Sequence, residues 1–261
     1  MDLQLTGKRA LITGGSRGIG LQVARMLVAE GARVAIAARD PRRLAEVAGE
    51  LDVVTAEIET GDDDSVTAAV ARVTERLGGI DILVNSAAEP HGGKPRIVPS
   101  LTTDQQFWDA VNVKTVGYLR TARAVAPGMV ERGWGRIVNV SGTAARTASD
   151  FVATARNVGV AALTKNLADE LGPHGVNVTV VHPGVTVTER TEARAADLAE
   201  REGIPVEEAR RQLTMGATAI GRYPTAEEVA WVITFLASPR SVSMTGDPVV
   251  VSGGLPGPIF Y

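Results

Sequence analysis

No cysteine occurs in the chain, which excludes disulfides, thiolate metal sites and thiol nucleophiles and fits a reducing, cytoplasmic setting. Histidine is nearly as scarce: His91, His174 and His182 stand far apart, so no metal site is expected. Aromatic residues make up only 4% of the sequence, and no tyrosine lies between Tyr118 and Tyr223. No apolar run approaches the roughly 18 residues that a membrane span requires. The start, Met1-Asp2-Leu3-Gln4, lacks the basic segment and apolar core of a secretion signal. With a net charge of −3 and no dense Lys/Arg cluster, neither nucleic acid nor an anionic membrane is expected as a partner. What is present is a globular composition, 44% hydrophobic and 22% charged over 261 residues. A chain of that length can hide roughly 70–75% of its unfolded surface.

Short apolar runs alternate with helical stretches from end to end. Arg9–Thr13, Arg33–Ala37, Val53–Ala56, Ile80–Val84, Arg136–Val140, Val176–Val181 and Pro248–Val251 read as strands. Helices are expected over Ile19–Ala29, Ser65–Arg76, Phe151–Leu171 and Glu227–Ala237. One long helix is expected over about Thr103–Arg132, with Gly117 and Pro127-Gly128 as points of interruption. The run Asp62-Asp63-Asp64 suits a helix start, where the backbone dipole favours negative charge. Apolar strands separated by helices predict an α/β protein: a doubly wound parallel sheet with helices on both faces, in one domain spanning 1–261. The polar, helical stretch at about 185–221 is read as a lid-like excursion over a cleft.

Thr13-Gly14-Gly15-Ser16-Arg17-Gly18-Ile19-Gly20 falls between the first strand and the first helix. Glycines there allow a tight turn, a close backbone approach to a pyrophosphate and close packing of helix on strand. Free amides at the helix start then hold the anion. Gly14, Ser16, Arg17, Gly18, Ile19 and Gly20 are therefore read as the phosphate cradle of a Rossmann nucleotide site. In such folds an acid at the end of the second strand binds the ribose 2′-hydroxyl of NAD. Here Ala38 stands at that place, followed by Arg39, with Arg17 in the glycine turn. Two guanidiniums and no acid favour a 2′-phosphate, so NADP (NADPH) is expected over NAD.

These residues resemble the short-chain dehydrogenase/reductase family over about residues 5–255. Thr13-Gly14 through Gly18-Ile19-Gly20 matches its glycine motif. Asn85-Ser86-Ala87-Ala88 resembles its Asn-Asn-Ala-Gly, and Asn112 in Val111-Asn112-Val113 resembles the asparagine of its active-site tetrad. Pro183-Gly184 with Thr188 resembles the segment that holds the nicotinamide half. Gly221-Arg222, Pro224, Glu227-Glu228-Val229-Ala230 and Thr245-Gly246 through Gly253-Gly254 match the C-terminal signature. The resemblance implies a single-domain Rossmann fold, NADP-dependent hydride transfer on a small carbonyl or alcohol, and a homodimer or homotetramer built on the helices about Thr103–Arg132 and Phe151–Leu171. It assigns cofactor contacts to Asn85, Ala87, Pro183, Gly184 and Thr188.

The family's catalytic residues are not matched. Gly142 falls on the serine, Ala153 on the tyrosine and Asn157 on the lysine of the Tyr-x-x-x-Lys pattern. Positions 153 and 157 share a helix face, so Asn157 is expected to bond the nicotinamide ribose as a neutral group. Candidate proton sources are Ser141, which strand alternation turns away from the cleft, and His91 in the loop after the fourth strand. Asn112 is carried over as the tetrad asparagine. His182, Asp150, Thr154, Arg156 and Tyr261 are weaker candidates, and Lys94 and Arg96 could draw in an anionic substrate. Three readings stay open: an oxidoreductase with a non-standard proton route, a cofactor-binding partner subunit or sensor without turnover, and a non-redox enzyme on the same scaffold.

Overall fold

A computed structural model describes residues 1–88, 98–148 and 150–256. Seven parallel strands form one sheet in the order β3-β2-β1-β4-β5-β6-β7. They are β1 Arg9–Thr13, β2 Arg33–Ala38, β3 Val53–Glu57, β4 Ile82–Asn85, β5 Gly135–Val140, β6 Val176–Pro183 and β7 Pro248–Val251. Side chains alternate between the faces of a strand, and both faces here are covered. On one face Ala10, Ile12, Val34 and Ile36 pack on α1 (Gly18–Ala29) and α9 (Ala226–Leu236) through Val23, Leu27, Ile233 and Leu236. On the other, Leu11, Ala35, Leu83 and Ile137 meet α3 (Asp63–Leu77), α5 (Gly117–Glu131) and α6 (Phe151–Leu171) through Val66, Val73, Ala122, Met129 and Leu167. The expected doubly wound α/β architecture is the one observed.

Local signals account for most boundaries. Asp62 caps α3, its carboxylate accepting from the Ser65 amide at 2.7 Å, with Asp63 and Asp64 in the first turn. Helix α2 (Pro41–Glu50), which is not among the helices expected from the sequence, starts on an equally plain signal. Asp40 accepts from the Arg42 and Arg43 amides, and Pro41 fills the first helical position, where its missing N–H costs nothing.

The long helix expected over 103–132 is interrupted, and not at Gly117 or Pro127. After α4 (Asp104–Val111) comes one π turn, Asn112–Val116, and then α5, which carries Pro127 inside it. A π turn releases backbone groups from the regular helical ladder. Here side chains take them: the Thr60 hydroxyl donates to the Val113 carbonyl at 2.8 Å, and Arg120 donates to the Asn112 carbonyl at 3.2 Å. The Thr115 hydroxyl ties the turn to α6 by donating to the Arg156 carbonyl at 2.9 Å. Between β6 and α9, α7 (Glu189–Glu202) and α8 (Val206–Thr214) bury Ala195, Ala199 and Ala209 in a small core of their own.

Candidate functional site

Strand order reverses between β1 and β4, and the crevice beyond the carboxyl ends of such strands is where α/β sheets bind ligands. An open cleft of about 700 Å³ lies there. Gly14, Ser16, Arg17, Gly18 and Ile19 line its centre, Ala38, Arg39, Asp40, Pro41 and Ile58 one end, and Lys114, Val140, Ser141 and Pro183 the other.

The centre is shaped for an anion. Gly14 has φ +70°, and a Cβ there would stand 2.8 Å from the Ser86 and Ala87 backbone, so only glycine fits. Gly20 does not line the cleft; it lets the Gly14 carbonyl come against α1, where a Cβ would collide with it. The Gly18 amide, at the start of α1, donates to the Glu189 carboxylate at 3.0 and 3.2 Å. A carboxylate thus occupies the amide where a phosphate oxygen would bind, and the cradle accepts negative charge.

At the basic end, Arg17 and Arg39 are exposed, and an Arg39 Nη1 lies 3.7 Å from a Glu59 oxygen. Asp40, the acid nearest the expected ribose position, is turned back to cap α2 through Oδ1. That helix start reduces its call on a ribose hydroxyl.

The polar end departs most from the sequence reading. Asn112 does not line the cleft: its Nδ2 donates to the Gly61 carbonyl at 2.9 Å, because the π turn carries that side chain toward the segment after β3. Lys114, two residues on, reaches the cleft instead. It is 4% exposed, and its Nζ donates to the Ser141 carbonyl at 2.9 Å and to Asn157 Oδ1 at 2.8 Å. Burial, together with the positive charge of Arg156, holds this ammonium well below the usual lysine range. Asn157 itself is buried and does not line the cleft, and its Oδ1 is taken by Lys114. Lys114 was missed because a lone lysine inside a helical stretch carries no motif.

Ser141 lines the cleft, while its side chain keeps the alternation of the strand and turns to α6 as Asn139 does. Its hydroxyl donates to the Asn157 carbonyl at 3.0 Å, so that proton is directed at α6. Gly142 and Asn157 are neighbours: a Cβ on Gly142 would lie 3.1 Å from Asn157 Nδ2. Ala153 is buried on the first turn of α6, its amide bonded to the Asp150 carboxylate at 3.0 Å. Tyr118 is no substitute for a missing phenol, since it is fully buried and donates to the Val140 carbonyl at 3.0 Å. His182 is buried with Nδ1 lacking a partner, and burial beside Arg146 and Lys114 pushes its imidazole down to about 4.

Of the motif residues, Ala87, Pro183 and Thr188 line the cleft. Asn85 lies beneath it in a buried chain: its Nδ2 donates to Asn139 Oδ1 at 3.0 Å, and its Oδ1 accepts from the Thr121 hydroxyl at 2.8 Å. Gly184 packs on Ser252, where a Cβ would lie 3.1 Å from the serine Cβ, and does not line the cleft. His91, Lys94, Arg96 and Tyr261 lie outside the described residues.

Comparison with known proteins agrees with this arrangement. A family model described as short chain dehydrogenase matches residues 8–199. The short-chain reductase protein NovJ of Streptomyces niveus is 36% identical over 258 residues, covering 95% of this chain and 93% of that protein. The crystal structure of L-sorbose reductase from Gluconobacter frateurii complexed with NADPH and L-sorbose is similar with a TM-score of 0.88, at 28% identity and 98% coverage of both chains. A variant of actinorhodin polyketide ketoreductase with NADPH gives a TM-score of 0.84 at 32% identity, over 95% of this chain and 97% of that one. Glycine cradle, switch-point cleft and matched residues together place the chain in the short-chain dehydrogenase family.

Proposed function

We propose that this protein is an NADP(H)-dependent oxidoreductase that transfers hydride to or from a small carbonyl or alcohol, by a proton route that uses no tyrosine. The observation that carries the reading is one continuous cleft joining a basic end, a glycine cradle and a polar floor. Arg17 and Arg39 would hold the 2′-phosphate, Gly14 to Ile19 the pyrophosphate, and Pro183 and Thr188 the nicotinamide half. A nicotinamide bound there supplies a hydride and its electron pair. The chain binds and orients the reactants, which is the larger part of such catalysis; a general acid adds about 10²–10⁴-fold. The sequence match of Gly142, Ala153 and Asn157 to the family's serine, tyrosine and lysine supports an atypical proton route. The similarity to reductases, two of them solved with NADPH, supports both the cofactor and the reaction class.

The reading is tested by calorimetry with NADPH and NADH, followed by nicotinamide absorbance with an activated dicarbonyl such as phenanthrenequinone. Tight NADPH binding with turnover supports it. Binding without turnover across a panel of ketones and alcohols would move the assignment to a partner subunit, a sensor or non-redox chemistry.

The excursion at 185–221 is part of the proposal as a lid: α7 begins at Thr188 and Glu189, directly over the glycine turn. A homodimer or homotetramer through α4, α5 and α6 is proposed as well. Trp108, Leu119, Phe151 and Val158 are exposed on those helices, and Phe107 stacks on Phe151 with ring centres 5.7 Å apart.

A further inference from the structure

The geometry points to Lys114 as the proton donor of this site, with Asn157 as its positioning residue. The inference rests on the reductase reading above and names the group that reading leaves open.

Three observations meet at this side chain. First, Lys114 lies in the polar end of the cleft, on the only π turn among the described residues, and is almost wholly buried. An unpaired ammonium there would be costly, so it is held by acceptors. Second, an ammonium has three N–H donors, and the protein supplies two acceptors, the Ser141 carbonyl and Asn157 Oδ1. The third donor is left for whatever fills the cleft. Third, Asn157 stands at the position that the sequence match gives to a lysine of α6. At this junction the amine comes from the π turn and the carboxamide from α6.

The charged and titratable groups facing Lys114 are Arg156 from α6 and His182 from β6. Burial and Arg156 both favour the neutral amine, which makes the ammonium a stronger acid than an exposed lysine and so a better proton donor. The step balances as follows. A hydride and its electron pair form a C–H bond at the carbonyl carbon, the C=O π pair moves to oxygen, and that oxygen takes a proton from Nζ. The neutral amine left behind regains a proton from water. Oxidation of an alcohol runs the same transfers in reverse.

Four proteins test this: wild type, Lys114→Arg, Lys114→Met, and the exchange Lys114→Asn with Asn157→Lys. Arginine keeps the charge but does not give up a proton in the accessible pH range. We expect wild-type reduction of phenanthrenequinone to fall as pH rises through the titration of Lys114. Lys114→Arg should bind NADPH within about threefold of wild type, yet lose roughly 10²–10⁴-fold in kcat and show no such pH dependence. The exchange variant keeps the amine–carboxamide pair and should regain at least tenfold over Lys114→Met. A wild-type rate and pH profile in Lys114→Arg would overturn the assignment, because a merely structural cation survives that change.

Nitrogen-15 NMR of the lysine Nζ groups supplies a readout that needs no turnover. The Lys114 signal, assigned by its loss in Lys114→Met, should titrate below the ordinary lysine range and shift on addition of NADP⁺. If wild type reduces nothing but this signal behaves so, the reductase reading fails and the placement of Lys114 stands. A Lys114 signal that titrates as an ordinary lysine, or ignores NADP⁺, overturns the inference whatever the activity.

Discussion

Glu189 stands in the way of the cofactor it helps to enclose. Both carboxylate oxygens accept from the Gly18 amide, at 3.0 and 3.2 Å, and that amide belongs to the set a pyrophosphate needs. Binding must therefore replace one anion by another and bring phosphate charge close to an expelled carboxylate. Glu189→Gln removes the charge while keeping the shape and one acceptor oxygen. A charge at an exposed helix start contributes about 0.3–1 kcal/mol, so its loss from the competitor should tighten NADPH binding by about two- to fivefold. Because the pyrophosphate is common to both nucleotides, NADH should gain by the same factor, and their ratio should not move. The gain should also shrink as salt is raised, since this end of the cleft is open to solvent. Calorimetric titration of both nucleotides at low and physiological salt measures all three quantities. Unchanged or weakened NADPH binding in Glu189→Gln would refute the competition, and a change in the NADPH to NADH ratio would show that the substitution acts on the adenosine end instead.

Three further outcomes are expected. NADPH should bind at least tenfold more tightly than NADH, the scale of one charge-assisted contact to phosphate, and Arg39→Ala should remove most of that preference; equal affinities by calorimetry would defeat the charge argument. His182 is pushed from 6.5 down to about 4, so the unfolded chain takes up the proton first as pH falls. Stability is then full above pH 6.5 and drops by about 3 kcal/mol on the way to pH 4, a loss that His182→Gln should lack in urea unfolding at matched pH. Light scattering at micromolar concentration should give a dimeric or tetrameric mass, with Trp108→Glu plus Val158→Glu shifting it toward monomer; a monomeric wild type would leave the exposed apolar side chains of α4 and α6 unexplained.

The sheet was legible because its signals are local and repeated. Strand stretches such as Leu11 and Ile12 of β1 and Ile82, Leu83 and Val84 of β4 are buried on both faces, so they read as apolar runs, and the glycine turn has a shape that only glycine can take. Helix α2 was missed although Asp40-Pro41 announces it, since its ten mostly polar residues bury only Leu44 and Val47. The π turn was illegible for a different reason. Nothing within Asn112–Val116 requires it; it is held by Thr60, Arg120 and Arg156, which come from other parts of the chain. Asn112, on which the motif match falls, turns its side chain to Gly61, and Lys114 two residues on lines the cleft.

The placement of Lys114 also bears on the three positions that the sequence match sets on the family's catalytic residues. The sequence match sets Gly142, Ala153 and Asn157 on the family's serine, tyrosine and lysine. In space Gly142 adjoins Asn157, and Asn157 holds Lys114. Lys114 lies against Asn157, its Nζ donating to Asn157 Oδ1 at 2.8 Å, so a longer side chain at 157 would meet it. A Cβ at 142 would press on the Asn157 amide at 3.1 Å, so a side chain there would disturb the very group that holds Lys114. Rebuilding the family pattern by Gly142→Ser, Ala153→Tyr and Asn157→Lys alone would set a second ammonium beside the first. Two unit charges about 4 Å apart repel by roughly 4 kcal/mol at the effective dielectric typical of partly buried pairs. The rebuilt site would therefore need Lys114→Asn as well before it could hold its charge. Packing thus couples positions 114, 142 and 157, and on the reading proposed above the amine that serves this site comes from the π turn, not from α6.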